Sequence, residues 1–108
     1  MENRKRIYIS GQVSGLSRNT YYENFALAEL SIAFRGNIPL NPVKLCEEAG
    51  LERYSDCMLL CIQSLKNSDG CYFLKNWKCS SGAKIEREFV DLLQQLNPVY
   101  ELFFETED

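Results

Sequence analysis

The chain has 108 residues, 45% of them hydrophobic and 25% charged, a composition that fits a single globular domain, residues 1–108, with one core. A net charge of −3 and one short basic cluster, Arg4-Lys5-Arg6, argue against binding nucleic-acid polymers, which takes a basic excess or stripe. No stretch approaches the roughly 18 apolar residues of a membrane span, so no membrane partner is expected, and Ile7-Tyr8-Ile9 is too short a run for a secretion signal.

Ile7-Tyr8-Ile9 is a β-prone run that stops at Ser10-Gly11, and Gly11-Gln12-Val13-Ser14-Gly15 reads as a loop. Thr20 and Glu23 have the spacing of a capping box, with Thr20 as N-cap. A first helix is therefore expected from about residue 20 to 35, with Phe25, Ala26, Leu30 and Ala33 at helical spacing and Gly36 as its stop. Asn37 to Leu40 reads as a short strand, placed at a sheet edge because Pro39 has no N–H to donate. Asn41-Pro42 ends it, and Val43 to Glu48 forms one or two helical turns.

A second long helix is expected over Arg53 to Lys66, with Tyr54, Cys57, Met58, Cys61 and Leu65 on one stripe. Asn67-Ser68-Asp69-Gly70 breaks it, and Cys71-Tyr72-Phe73-Leu74 is an apolar run suited to a strand covered on both faces. Asn76 to Gly82 reads as a polar loop around Trp77. A last helix runs from about Ser81 to Leu96, with Ile85, Phe89, Leu92 and Leu96 as its main stripe, and a final strand follows from Val99 to Phe104. This alternation predicts a three-layer α/β fold of the flavodoxin or Rossmann-like kind. Its mainly parallel sheet has about four strands in the order 2-1-3-4, with helices on both faces.

Ligands of such sheets bind beyond the carboxyl ends of the strands, here the loops Ser10–Gly15 and Asn76–Gly82. The first is not G-x-G-x-x-G, so the dinucleotide fingerprint is absent and no cofactor is expected. The chain contains no histidine, so chemistry must rest on carboxylates, hydroxyls or thiols. The five cysteines include no C-x-x-C pair; free thiols in a reducing, cytoplasmic compartment are the natural reading, and no metal site is expected. Cys57 and Cys61, four residues apart on the apolar stripe, read as core packing.

Arg87, Asp91, Gln94 and Gln95 fall on the polar side of the last helix, but Glu86 lies beside its apolar face, in the first turns above the expected pocket. It is either a carboxylate favoured by the helix dipole or a catalytic one.

Ile7-Tyr8-Ile9-Ser10-Gly11 with Ser14-Gly15, then Asp69, Trp77 and Ser80-Ser81-Gly82-Ala83-Lys84-Ile85-Glu86, resembles the small bacterial and phage family DUF4406. That family looks like a compact branch of the nucleoside 2-deoxyribosyltransferase-like superfamily. The resemblance runs from Ile7 to about Leu93 and implies that Glu86 attacks C1′ of a deoxyribosyl group to form a glycosyl ester, after which a second base or water takes the sugar. It also implies that Tyr8 orients Glu86, although a half-buried core tyrosine is an alternative for that position.

Ser80, six residues before Glu86, stands where monophosphate-hydrolysing relatives carry serine and transferases of free nucleosides an acid. With Ser14 and the amides of Gly11 and Gly82 it is a candidate phosphate cradle, and its alternative role is helix capping. Cys61, eight residues before Asp69, falls where the superfamily carries the aspartate that contacts or protonates the leaving base, a role a thiol fills poorly. Trp77 either stacks on a base or covers the core edge, and Asp69 is either a site residue or a turn residue. The expected partner is a nucleoside or nucleotide, with a non-catalytic nucleotide-binding module as the alternative. The resemblance also implies homo-oligomers, in keeping with the limited surface that a chain this small buries alone.

Overall fold

A computed structural model of the chain describes residues 4–106. Its elements, in chain order, are β1 (Arg6–Ser10), α1 (Arg18–Phe34), β2 (Ile38–Leu40), α2 (Pro42–Glu48), α3 (Tyr54–Lys66), β3 (Gly70–Phe73), a short 3-10 turn at Trp77–Cys79, α4 (Ser81–Leu96) and β4 (Glu101–Phe104). All three strand pairings are parallel and the order is β2-β1-β3-β4, so β1 is interior and the proline-bearing β2 is an edge, as the sequence predicts.

Alternation along β1 divides the core between the two faces of the sheet. Ile7 and Ile9 pack with Tyr72, Leu74 and the Phe25, Ala28, Ile32 stripe of α1. Tyr8 points the other way, into a cluster of Leu65, Cys71, Phe73, Val90 and Tyr100 beneath α3 and α4. The strand period of two therefore delivers Tyr8 and Ser10 to the face that α4 covers.

Several local expectations change. Helix α1 starts at Arg18 because Ser17, in extended conformation after Gly15 (φ +90°), caps it by accepting the Thr20 N–H. Thr20 is thus the third residue of the helix, not its N-cap. Its buried stripe is Phe25, Ala28 and Ile32, while Ala26, Leu30 and Ala33 face outward. Helix α2 includes Pro42 as its first residue, because the Asn41 side chain accepts the Val43 N–H at 3.0 Å.

In α3 the predicted stripe holds at Leu65, but Tyr54 is exposed. The expected stripe of α4 is rotated. Ala83, Glu86 and Val90 are buried and Phe89 and Leu93 half-buried, whereas Ile85, Leu92 and Leu96 face outward. Buried hydrogen bonds to Glu86 turn this polar residue inward at the expense of the larger apolar ones. The final strand begins at Glu101, with Val99 exposed. Among the described residues no helix is long and apolar enough to cross a membrane.

Candidate active site

Glu86 is 5% exposed and both its carboxyl oxygens are engaged: the Tyr8 hydroxyl donates to Oε2 at 2.6 Å and the Ser10 hydroxyl to Oε1 at 2.7 Å. Two elements make this possible. Strand β1 puts Tyr8 and Ser10 on one face, and α4, capped at its start by Ser80, sets Glu86 in its second turn above them. A buried carboxylate without partners would cost several kcal/mol, so the two hydroxyls are what allow the acid to remain there. Burial raises the Glu86 carboxyl above its ordinary range, and the hydrogen bonds from Tyr8 and Ser10 oppose that rise. Burial, with the neighbouring Glu86 charge, pushes the Tyr8 hydroxyl well up, which keeps it a proton-bearing donor.

This group lies at the floor of a cleft of about 660 Å³ at the carboxyl end of β1, walled by α1, α2, α3 and the start of α4. Of the nine candidate site residues, Tyr8, Gly11, Ser14, Cys61, Ser80, Gly82 and Glu86 line it. Ser80 does cap α4, accepting the Ala83 N–H at 3.2 Å, and it also lines the cleft. Gly11 has a packing reason of its own, since a Cβ there would stand 2.4 Å from Leu74 Cδ1 and 2.9 Å from Leu74 Cβ. A Cβ on Gly82 would come within 2.9 Å of the Tyr54 hydroxyl.

Two expected members lie elsewhere. Trp77 is not part of the cleft lining. Its ring packs on Phe73 (5.4 Å between centroids) and near Phe104, with the Arg87 guanidinium 5.5 Å from its centre. Of its two readings, the structure gives cover for the core edge. Asp69 sits at the amino end of β3, where its carboxylate accepts the Arg6 N–H at 2.9 Å and its own N–H donates to the Arg6 carbonyl. Its backbone carbonyl also accepts from Glu101, so Asp69 ties three strands together at the end of the sheet remote from the cleft.

Cys57 and Cys61 do more than pack in the core, since both also line the cleft with Cys46, whose Sγ is 3.9 Å from that of Cys61. The Cys61 thiol neighbours the Tyr8 hydroxyl and is pushed up, chiefly by burial. Sequence reasoning did not single out Ser10, although its position two residues after Tyr8 on a strand was the available signal. Tyr21, Tyr54 and Met58 were also missed as lining, because nothing local marks a helix residue as facing a cleft formed by distant segments. Among the described residues, no three His, Cys, Asp or Glu side chains are grouped so as to hold a metal.

The fold and the floor of the cleft define a class: a small Rossmann-like α/β domain with a buried, doubly hydrogen-bonded glutamate at the carboxyl end of its sheet. The sequence matches a family described as a domain of unknown function (DUF4406) over residues 5–96, and the chain belongs to that family. No curated protein and no solved structure matches the chain.

Proposed function

We propose that this protein breaks or exchanges the N-glycosidic bond of a deoxynucleoside or its 5′-monophosphate, with Glu86 as nucleophile. One observation carries the reading: a carboxylate held at the floor of a ligand-sized cleft by Tyr8 and Ser10. An oxocarbenium-like transition state takes a fixed anion beneath C1′, and a glutamate can also form the covalent ester. Both hydroxyls orient the carboxylate while leaving each oxygen a second lone pair for C1′. Ser80 and Ser14 would hold the 5′ end of the ligand near the start of α4, in keeping with the resemblance to the nucleoside 2-deoxyribosyltransferase-like superfamily. Five free thiols support a cytoplasmic setting. Outward apolar side chains such as Phe34 and Leu96 support association of copies.

Cys61 favours a second reading, a nucleotide-binding module without catalysis, because a thiol stands beside Tyr8 where the superfamily resemblance calls for an acid. Chromatographic measurement of base release from deoxynucleosides and their monophosphates, alongside ligand-induced thermal shifts, separates the two. The enzyme reading expects release that Glu86→Gln abolishes while binding persists. Binding without release by the unaltered protein supports the module, and neither binding nor release removes both.

A further inference from the structure

The cleft pairs a well-built anion with a shortage of groups able to give a proton to a leaving base. The described residues lining it include no lysine, arginine or histidine. Its carboxyl groups other than Glu86 are Glu47 and Glu52, both exposed at the rim. Glu47 is tied up as a carboxylate, since Arg18 pairs with it at 3.2 Å and the Tyr22 hydroxyl donates to it. The remaining donors are hydroxyls and the thiols of Cys46, Cys57, Cys61 and, exposed at the rim, Cys79. The Tyr8 proton is committed to Glu86. Burial raises the Cys46 and Cys61 thiols, which makes both weak acids toward a leaving base.

A neutral nucleoside leaves as an anionic base unless a proton reaches its ring nitrogen, and this cleft offers that proton poorly. An N-glycoside whose ring nitrogen already carries a positive charge needs none. The rings of Tyr21 and Tyr54 and the thioether of Met58 add walls that suit a flat cationic ring.

Resting on the glycosidic reading of Glu86, we propose that the preferred substrates are cationic N-glycosides, in which a pyridinium or N-alkylated purine ring is bonded to the sugar through its charged nitrogen. A Glu86 carboxylate oxygen bonds to C1′ as the C1′–N bond breaks. The bonding pair moves onto the ring nitrogen and cancels its positive charge, so the base departs neutral and no proton is transferred. Water then bonds to C1′, the ester C1′–O bond breaks, Glu86 leaves as a carboxylate, and the proton of the water goes to solvent. The sum is cationic glycoside plus water giving sugar, neutral base and one proton.

The experiment compares base release at pH 7 from the 2′-deoxyriboside of nicotinamide, which is cationic, with release from thymidine and 2′-deoxyadenosine. Glu86→Gln protein serves as the blank for spontaneous hydrolysis. The cationic glycoside should react at least about a hundredfold faster than either neutral one, since general acid assistance is typically worth 10²–10⁴-fold. Cys61→Asp should then speed the neutral substrates and leave the cationic one no faster. Glu86-dependent release that is equal or faster from the neutral nucleosides overturns the substrate class while leaving the glycosidase standing. Absence of Glu86-dependent release from all three overturns both. The comparison on the unaltered protein is decisive even if Cys61→Asp does not fold.

Discussion

Tyr8 and Ser10 stand two residues apart on β1 and hold the two oxygens of one carboxylate, Tyr8 at Glu86 Oε2 and Ser10 at Oε1. The same alternation sends Ile7 and Ile9 into the opposite core cluster, so the strand that anchors the sheet also fixes the acid. Glu86 is joined in this way to the most buried part of the molecule. Its orientation is set by strand geometry and does not depend on a loop.

The first prediction concerns stability and pH. Burial raises the folded-state titration of Glu86 above its unfolded value. The stability linked to its protonated form is therefore fully present below the unfolded value, in the ordinary carboxyl range, and is lost as pH rises through the folded one. Glu86→Gln carries no charge, and its amide can still meet both hydroxyls. The melting temperature of the variant should exceed that of the parent at pH 8, with the difference shrinking toward pH 4.5. A variant less stable than its parent at pH 8 would show that the ionised acid is no burden to the fold.

A second prediction isolates Tyr8. Tyr8→Phe keeps the ring in its cluster and removes the donor to Oε2, leaving that oxygen buried and unpaired. Denaturant unfolding at neutral pH should show a loss of about 1–3 kcal/mol, the usual penalty for such an orphaned group. The carboxyl should also move further upward, so the acidic limb of any pH–activity profile should shift to higher pH. A purely structural tyrosine predicts the first effect without the second.

Much of this site was legible in the sequence because motif spacing and strand period agree with the fold. Glu86 stood out through its place beside the apolar face of α4, whereas Tyr8, the middle residue of β1, was marked only by the family resemblance. The strand order followed from the β/α alternation, which parallel pairing and right-handed crossovers restrict to few topologies. The outward turn of Ile85, Leu92 and Leu96 was not legible. Periodicity counts apolar residues, and it cannot weigh three large ones against two buried hydrogen bonds to a carboxylate. Trp77 misled for a related reason: a loop at the correct end of a sheet has two sides, and the partners of the indole on β3 and β4 lie outside its own segment.

A third prediction separates the two jobs open to Ser80. As N-cap its oxygen accepts the Ala83 N–H. Ser80→Ala should cost about 1 kcal/mol of stability, whereas Ser80→Gly should cost only about a few tenths. Both lose the hydroxyl that would reach a ligand phosphate. If Ser80 holds one, calorimetry should show both variants weakened more than tenfold toward a deoxynucleoside 5′-monophosphate relative to the nucleoside, since a hydrogen bond to a charged group contributes about 1.5–3 kcal/mol. Monophosphate affinity that follows stability, reduced in Ala and kept in Gly, would assign Ser80 to capping alone.

The last prediction uses Trp77 to distinguish framework from ligand contact. Its ring closes a stack with Phe73 and Phe104, whose own centroids lie 5.5 Å apart, and Arg87 lies 5.2–5.7 Å from all three rings while pairing with Asp91 at 3.1 Å. Trp77→Ala removes a half-buried ring from that stack and leaves Arg87 less to lie against. The loss should be on the order of 2 kcal/mol, below the 3–5 kcal/mol of fully buried aromatic truncations. Because the cleft lining does not include Trp77, the Kd for a nucleoside should stay within about threefold of the parent, measured well below the lowered melting temperature. Trp77→Phe should recover most of the stability, since a smaller ring still fills part of the same space. A tenfold loss of nucleoside affinity in the folded Phe variant would instead place the indole against the base, and would require the loop after β3 to turn toward the cleft when ligand binds.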